Sequence, residues 1–406
     1  MIRYHAAWVV PIEGEPIRDG WVTVDRGRIV ALGRRAASDA TDGVELGDVA
    51  LMPGLVNAHT HLELSYLRDQ ITPSSSFTAW VRQILHARSQ RMKQSMRDPV
   101  ILAAIDAAID ESLRCGTAVV GEITNGLHPT FEKLVQSPLA GVVFWELLGF
   151  NIEGDFDKLT DEAVSELALL PATDRLRLSL AAHAPYSVAP LFFQAIKKAV
   201  ARMPFVPCSV HLAEGAEEVE LLTTGGGPWK ALMQDIGAWN QTWTAPGVGP
   251  VKYLDEMAFL DNRLLVVHGV QMSKEDLEML RERGCTLVTC PRSNGYTGAG
   301  VPPINEFFES GVRIAIGTDS LASTPDLNVF AEVATLHALA PSVPAASLLE
   351  SATIQGARAL GFDADYGTIE PGKLARLLAV DVPPGTSDVE EYLVSGIHPG
   401  QIRWLV

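Results

Sequence analysis

Two histidines separated by one residue, His59 and His61, close an apolar run that begins at Pro53. Alternate side chains of an extended strand share a face, so both imidazoles point the same way at the strand's end and can bind one cation. Imidazole is the commonest metal ligand among protein side chains. By itself the pair is explained equally well as two polar groups with other partners, so the prediction of a metal site depends on the rest of the chain.

Further metal-binding side chains also follow apolar runs. They are His183, His211, His268 and Asp319, which close the runs 176–183, 206–211, 264–268 and 312–319. Imidazoles and a carboxylate that meet at one point form an open site, in which a divalent ion can hold a water molecule. Each residue alone could be a hydrogen-bonded polar group of the core, but their shared position at the ends of runs favours the metal site.

The elements that must position these residues are eight apolar stretches separated by helix-like segments. The stretches are 53–61, 117–122, 141–146, 176–183, 206–211, 264–268, 286–290 and 312–319. Near-continuous apolar strands that alternate with helices predict an α/β fold with a parallel sheet, and eight of them predict a (β/α)8 TIM barrel whose functional face lies at the carboxyl ends of the strands. A doubly wound open sheet is the alternative, but no Gly-x-Gly-x-x-Gly follows the first stretch.

Short β-type segments near both ends of the chain lack partners of their own. The N-terminal segments cannot bury both faces, and the C-terminal segments 374–381 and 401–406 offer the missing strands. We therefore predict a small, discontinuous β-sandwich domain made of residues 1–53 and 362–406, with the barrel in residues 54–361.

The composition narrows the classes of partner. Of 406 residues, 47% are hydrophobic and 20% are charged, which is ordinary for a well-cored protein. The formal net charge of −17, without a run of basic residues, argues against nucleic acids and anionic membranes as partners. We expect a small-molecule substrate, and a homodimer is an open alternative to a monomer.

Four scattered cysteines and the absence of long apolar runs bear on location. Cys115, Cys208, Cys285 and Cys290 show no Cys-x-x-Cys spacing, which favours free core thiols in a reducing compartment. No apolar run reaches membrane-spanning length, and the first residues do not read as a signal peptide. These features predict a cytoplasmic location.

Several short motifs resemble one family over nearly the whole chain. The motifs are Pro53–His61, His183–Ser187, His211–Glu214, Val267–Gly269, Cys290–Asn294, Gly317–Ser320 and Glu370–Lys373. They resemble the amidohydrolase superfamily, and specifically its branch of cytosine deaminases, guanine deaminases and chlorohydrolases. The resemblance implies a metal-dependent hydrolase.

The resemblance also implies roles for individual residues. It makes His59, His61, His211 and Asp319 the metal ligands. It makes Glu214 the proton shuttle, and it places His268 and His183 against the substrate or the bound hydroxide.

These roles agree with the chemistry of a hydrolytic deamination. A divalent cation lowers the pKa of its water from about 15.7 towards roughly 7, and Asp319 would orient the resulting hydroxide and accept its proton. Glu214 would deliver a proton to the ring nitrogen beside the attacked carbon, and His268 would stabilise the tetrahedral intermediate before ammonia leaves. Zinc is the expected ion, with iron and manganese as alternatives.

We predict one metal ion. Related dinuclear sites bridge their ions with a modified lysine or a glutamate at the end of strand four, but here that strand ends at His183. Glu122 and Glu146 end strands two and three and could serve as bridging carboxylates, so two ions are the alternative. We favour a place for both glutamates in the substrate pocket or as buried, hydrogen-bonded acids.

The substrate is less well defined by the sequence. The sequences of His59–Ser65 and Gly317–Ser323 resemble those of the aminodeoxyfutalosine deaminases. This resemblance implies that the substrate is an adenine-bearing nucleoside with a carboxylated aromatic arm. One departure is Phe77–Trp80, which lacks the acid that binds ribose hydroxyls in relatives of adenosine type. Alternatives are an enzyme that cleaves an amide, amidine or carbon–chlorine bond in the same site, and a binding protein without activity.

Three further residue types are candidates for substrate contacts. A carboxylate on the substrate could pair with Arg82, Arg292 or Arg68. A flat ring could stack on Trp80, Trp145 or Trp229, the last carried by the insertion after strand five.

Overall fold

Two β-sheets organise the chain in the computed structural model. The structure describes residues 1–35, 43–91, 97–171, 173–204 and 206–405. The strands of the first sheet come from both ends of the chain: β1 (Ile2–Val9), β2 (Ile17–Asp25), β3 (Arg28–Arg34), β4 (Val44–Glu45), β5 (Val49–Pro53), β14 (Leu377–Asp381) and β15 (Ile402–Trp404). Those of the second are β6 (Leu55–Thr60), β7 (Thr117–Thr124), β8 (Ala140–Leu147), β9 (Leu176–Ala182), β10 (Cys208–Leu212), β11 (Leu264–His268), β12 (Thr286–Thr289) and β13 (Arg313–Ile316).

Helices separate and flank the strands of the second sheet. In chain order they are α1 (Phe77–Arg91), α2 (Pro99–Arg114), α3 (Leu127–Gln136), α4 (Phe156–Leu169), α5 (Pro190–Arg202), α6 (Ala216–Thr224), α7 (Gly227–Asp235), α8 (Pro250–Glu256), α9 (Lys274–Arg283), α10 (Pro291–Thr297), α11 (Ile304–Ser310), α12 (Val329–Leu339), α13 (Ala345–Ser351), α14 (Ile354–Leu360) and α15 (Val389–Val394). Two 3₁₀ turns cover Leu62–Leu67 and Pro399–Gln401.

The second sheet is a parallel barrel. Its eight strands neighbour one another in chain order from β6 to β13. The backbone N–H groups of Thr318 and Asp319 both donate to the carbonyl oxygen of His59, at 3.1 Å, and thereby join the end of β13 to β6. Every residue of β6, β7, β10, β11 and β12 is buried, as expected for strands enclosed between a packed interior and a layer of helices. The predicted α/β barrel is confirmed.

The first sheet joins the two ends of the chain. Its order is β15-β14-β5-β1-β2-β3, with β4 also paired to β1. A bridge between Arg28 and Leu374 brings the β3 end of this sheet back to the segment that enters β14, so the sheet curls over an apolar cluster that includes Val22, Leu51 and Leu377. The pairing of both termini in one β unit is as predicted. The exact domain boundaries stay a prediction, and Val406, the last residue of the predicted C-terminal strand, lies outside the described residues.

Two further expectations can be compared with the structure. The four cysteines are buried free thiols, as predicted. In the described part of the chain, no helix combines the length and the apolar character that crossing a bilayer requires.

Candidate metal and active site

Four side chains converge where the barrel closes. His59 and His61 lie at and just after the end of β6, His211 lies on β10, and Asp319 follows β13. The Asp319 Oδ1 atom lies 3.8 Å from His59 Nε2 and 3.6 Å from His61 Nε2, and the Nε2 atoms of His61 and His211 are 3.4 Å apart. All four residues are buried. The structure therefore brings together the four side chains that the sequence nominated as metal ligands.

The protonation of these imidazoles suits them to bind a cation. Burial lowers the pKa of His61 to about 3 and that of His211 to about 4, and it lowers the pKa of His59 well below the ordinary value. Each ring is therefore neutral near pH 7. Neutral imidazole has one nitrogen that carries a proton and one that carries a lone pair.

Hydrogen bonds indicate which nitrogen carries the lone pair. His211 Nδ1 lies 2.9 Å from the carbonyl oxygen of His183. A carbonyl can only accept, so in His211 the proton is on Nδ1 and the lone pair is on Nε2. If Nδ1 also carries the proton in His61, the two facing Nε2 atoms cannot hydrogen-bond to each other. Both ring nitrogens of His59 are buried without a hydrogen-bond partner among the described residues. These features fit a cation between the three rings.

Asp319 is anchored by two hydroxyl groups. Ser293 Oγ donates to its Oδ2 atom at 2.5 Å and Ser323 Oγ donates to the same atom at 3.1 Å, which leaves Oδ1 directed at the histidines. Asp319 has a left-handed backbone conformation, with φ of 60°. Just before it, a Cβ atom on Gly317 would lie 2.7 Å from His59 Cβ, so the close approach of the two strands requires glycine. Strain of this kind is typical of positions that a functional site constrains.

Glu214 and His268 form the second part of the site. His268 Nε2 lies 3.6 Å from Glu214 Oε2, and Asn294 Nδ2 lies 2.9 Å from His268 Nδ1. If the Asn294 amide donates to Nδ1, the proton of this neutral ring is on Nε2, which faces Glu214. Burial, and then the charge of Asp319, raises the pKa of Glu214 well above its usual value. Burial therefore favours the protonated form of Glu214, which is the form that a general acid needs.

His183 and Glu146 lie at the edge of the same cluster. The rings of His183 and His211 are 5.1 Å apart, and His183 Nδ1 lies 2.5 Å from Ser187 Oγ. The Glu146 Oε2 atom accepts from Asn125 Nδ2 at 3.1 Å, whereas Oε1 is buried without a hydrogen-bond partner among the described residues. Burial raises the pKa of Glu146 to about 7. Both side chains line the same cavity as the histidines.

A cavity opens above these residues, and two terms describe it below. The floor consists of residues at or just after the carboxyl ends of barrel strands: His59, His61, His183, His211, Glu214, His268 and Asp319. Of these, His59 is fully buried and does not itself line the cavity. The wall consists of Phe77, Trp80, Val81, Ile84, Leu85 and Arg88 on α1 and of Trp229 on α7. In the wall, Trp229 stacks on Tyr186 with ring centroids 3.9 Å apart, and Phe77 stacks on Trp80 at 6.0 Å. The indole nitrogens of Trp80 and Trp229 are buried without a hydrogen-bond partner among the described residues.

Several predicted contact residues are not brought to the cavity. Arg82 pairs with Asp235 at 2.7 Å and Arg292 pairs with Asp326 at 2.8 Å, and neither side chain lines the cavity. Glu122 accepts the Leu62 N–H on both carboxylate oxygens, at 3.0 Å. Arg68 is bound by Glu111, with Nη2 2.7 Å from each carboxylate oxygen. Trp145 is absent from the cavity lining that the structure describes. Substrate contacts by these residues stay predictions. The structure does not support them, because the side chains are bound elsewhere or lie outside the cavity lining.

Two kinds of site residue were not predicted from the sequence. The first are the hydroxyl and amide groups of Ser293, Ser323 and Asn294, although all three stand inside stretches that resemble the family. The second is Arg88, which lines the cavity. The spacing of Val81, Ile84, Leu85 and Arg88 marks one face of a helix and could have found it.

Comparisons with known proteins agree with this geometry. A sequence model described as the Amidohydrolase family matches residues 50–399. The chain is 29% identical over 405 residues to the 5-methylthioadenosine/S-adenosylhomocysteine deaminase of Moorella thermoacetica, which covers 95% of this chain and 88% of that protein. It is 30% identical over 325 residues to the aminodeoxyfutalosine deaminase of Deinococcus radiodurans, covering 78% and 75%.

The similar solved structures include one with a bound metal. The crystal structure of an adenosine deaminase from Xanthomonas campestris with bound zinc has a TM-score of 0.80 and 28% sequence identity, over 99% of this chain and 90% of that one. The family resemblance noted in the sequence is confirmed. The chain belongs to the amidohydrolase family, whose members are metal-dependent hydrolases.

Proposed function

We propose that this protein is a metal-dependent aminohydrolase that releases ammonia from an adenine-bearing nucleoside or a related amino-substituted heterocycle. The observation that carries the proposal is the convergence of three imidazoles and Asp319 beside Glu214 and His268, beneath a wall of aromatic side chains. The names of the relatives, 5-methylthioadenosine/S-adenosylhomocysteine deaminase and aminodeoxyfutalosine deaminase, support an adenine nucleoside as the substrate.

We assign one cation to His59, His61, His211 and Asp319, and we propose zinc. The two donor types, imidazole and carboxylate, suit zinc, and the similar adenosine deaminase structure contains it. When bound, a divalent cation lowers the pKa of a water molecule so that hydroxide is available near neutral pH. A single ion is favoured because Glu122 is committed to the backbone of Leu62.

The residues of the floor then divide the proton transfers. Asp319 accepts a proton from the attacking water while its Oδ2 atom stays bound to Ser293 and Ser323. Glu214, whose protonated form is favoured by burial, gives its proton to the ring nitrogen next to the attacked carbon. His268 donates from Nε2 to the oxygen that develops on that carbon. Asp319 then passes the proton it accepted to the amino group, and the hydroxyl on the attacked carbon returns a proton to Glu214. Cleavage of the carbon–nitrogen bond releases ammonia and leaves a carbonyl group on the ring.

The upper part of the cavity provides for the heterocycle. The ring would lie against Trp80 and Trp229, whose indole N–H groups have no hydrogen-bond partner in the described part of the chain and can donate to it. His183 and the Oε1 atom of Glu146, which has no hydrogen-bond partner among the described residues, supply further hydrogen-bonding groups to the cavity.

Ammonia release from zinc-loaded protein tests the proposal. The substrates are adenosine, 5′-substituted adenosines, guanine and pterin compounds. Wild-type protein should release ammonia from at least one adenine nucleoside. Glu214→Gln should lower kcat by about 10²- to 10⁴-fold without loss of bound zinc, because it removes the proton donor and keeps the shape of the side chain.

Glu220→Gln is the matched control, because Glu220 is an exposed carboxylate on the neighbouring helix α6. It should change kcat by less than about twofold. Equal rates for wild type and Glu214→Gln would refute the role of Glu214. Release of chloride or of a free amine from analogues, with no ammonia from any amino heterocycle, would replace the deaminase by another hydrolase of the same family.

A further inference from the structure

Arg88 is a cation placed in the wall of the cavity. It stands seven residues after Val81 on α1, on the face that also carries Ile84 and Leu85. All four side chains line the cavity. Of the lining residues that the structure describes, Arg88 is the one arginine or lysine, and about a quarter of its side chain is exposed, at 23%. A molecule in the cavity can therefore reach its guanidinium group.

The nearest carboxylate to Arg88 is already satisfied by other donors. Glu63 accepts Thr124 Oγ1 at 2.6 Å, the backbone N–H of Gly126 at 2.7 Å and that of Asn125 at 3.1 Å. Arg88 Nη2 lies 3.9 Å from Glu63 Oε1, beyond hydrogen-bond distance, and donates to Asn125 Oδ1 at 3.3 Å. Three close donors stabilise the charge of Glu63 without Arg88. The guanidinium thus keeps donors in a plane that could bind a second acceptor group.

Other arginines near the site differ from Arg88 in this respect. Arg82 is on the same helix but lies 2.7 Å from Asp235. Arg68 lies 2.7 Å from both carboxylate oxygens of Glu111. Arg292 lies 2.8 Å from Asp326. Each of the three has a carboxylate within hydrogen-bond distance, whereas Arg88 has none at that distance in the described structure.

The side chains around Arg88 indicate what carries the acceptor. Leu64, Val81, Ile84, Leu85 and Leu148 line the same cavity and offer only carbon atoms. A substituent that passes along them should be apolar, because a polar chain would lose its hydration there without gaining hydrogen bonds. The charged end of such a substituent would then meet the guanidinium.

We propose that Arg88 is a specificity-determining residue, which binds a carboxylate at the end of an apolar substituent on the nucleoside. This inference deepens the proposed function and rests on it. Arginine binds a carboxylate through two parallel N–H donors, which gives a preference for that group over a neutral one of the same size. Two carboxylates of the cavity lining lie near Arg88, those of Glu63 and Glu146. Each accepts a hydrogen bond from Asn125, Glu63 from its backbone N–H and Glu146 from its side-chain amide.

A matched pair of substrates tests the inference. The two are 5′-thioadenosines with the same alkyl arm, one ending in a carboxylate and the other in a carboxamide. Arg88→Met keeps the length of the side chain and removes its charge. It should lower kcat/KM for the carboxylate by about 10- to 100-fold, mainly through KM, and change kcat/KM for the carboxamide by less than about threefold. Arg88→Lys should fall between wild type and Arg88→Met for the carboxylate.

Arg82→Met is the matched control, since it removes an arginine of the same helix that is bound to Asp235 outside the cavity. It should leave the ratio of the two kcat/KM values unchanged. Equal losses of kcat/KM on both substrates in Arg88→Met would mean that Arg88 only supports Glu63, and this result would overturn the inference. A variant with no loss of kcat/KM on either substrate would overturn it too.

The failure of the proposed function gives a different result. In that case wild-type protein releases ammonia from neither nucleoside, and both can be titrated by calorimetry without being consumed. Tighter binding of the carboxylate than of the carboxamide, lost in Arg88→Met, would still support the role of Arg88. Equal binding of the two nucleosides would refute it.

Discussion

The floor and the wall of the cavity are built on different principles. Floor residues stand at strand ends of the barrel, and their side chains are fixed by hydrogen bonds such as those from Ser293 to Asp319 and between His211 and the carbonyl of His183. The wall comes from helices α1 and α7, and its two tryptophans keep indole N–H groups without partners in the described structure. In this fold, residues at strand ends are held in place for the reaction, whereas the helices and insertions around them determine which substrate fits.

Removal of a floor ligand should have the largest effect. His61→Ala should abolish stoichiometric zinc binding and lower kcat by about 10³-fold or more, because one of the two facing Nε2 atoms is lost. Metal analysis of purified protein and ammonia release measure the two effects. Chelation should lower the Tm of wild-type protein, since zinc stabilises only the folded state, but it should not lower the Tm of His61→Ala.

His128→Ala is the control for this change, because His128 pairs with Glu166 on the outside of the barrel. It should retain zinc and activity. A His61→Ala protein with one tightly bound zinc and normal kcat would contradict the assigned ligand set.

Most of the floor could be predicted from the sequence because every member except Glu214 stands at the end of an apolar run, and the family resemblance added Glu214. His59, His211 and Asp319 each carry a metal-binding side chain at the end of an apolar run. Because parallel strands converge at one edge of the barrel, this pattern is enough to place the three together. The groups that orient these residues could not be predicted in the same way. Ser293 is 26 residues from Asp319, and serine is too common for its presence to identify a partner.

The second prediction concerns those orienting groups. Ser293→Ala removes the 2.5 Å hydrogen bond to Asp319 Oδ2 and should lower kcat by about 10- to 100-fold while zinc stays bound. Ser323→Ala removes the longer bond of 3.1 Å and should cost less. Steady-state kinetics with parallel metal analysis measure both. Ser310→Ala, which affects a hydroxyl bound to the carbonyl of Phe307 on α11, is the neutral control. Identical rates for all three variants would show that Asp319 needs no anchoring.

The wall shows why the sequence could not single out Arg88 among the arginines of the chain. The acids that bind Arg82, Arg68 and Arg292 lie 153, 43 and 34 residues away in the sequence. Which arginine keeps free donors depends on these distant pairs, and a local pattern carries no information about them. The helical face that includes Arg88 was present in the sequence, but its direction towards the cavity follows only from the packing of α1.

A substitution in the wall should change the kinetic constants less than one in the floor. Trp229→Ala removes the ring that stacks on Tyr186 and should raise KM by about 10-fold with kcat changed less than about threefold, because the floor is untouched. Trp145→Phe, at a tryptophan outside the described cavity lining, is the control and should leave both constants near their wild-type values. A fall in kcat alone in Trp229→Ala would mean that α7 shapes the floor, and the separation of the two regions would fail.

The smallest effect on the kinetic constants is expected at Trp80, where the role of one N–H group can be tested. Trp80→Phe keeps an aromatic ring beside Phe77 but deletes an indole N–H that is buried without a protein partner in the described structure. An unpaired buried donor costs about 1 to 3 kcal/mol, so its removal should offset the lost contact area and keep the Tm within about 2 °C of wild type. If that N–H donates to the bound heterocycle, KM should rise by about threefold. A raised KM with an unchanged Tm would identify an interaction made only with the substrate, whereas a matching fall in Tm would make Trp80 a packing residue and remove it from the wall's part in recognition.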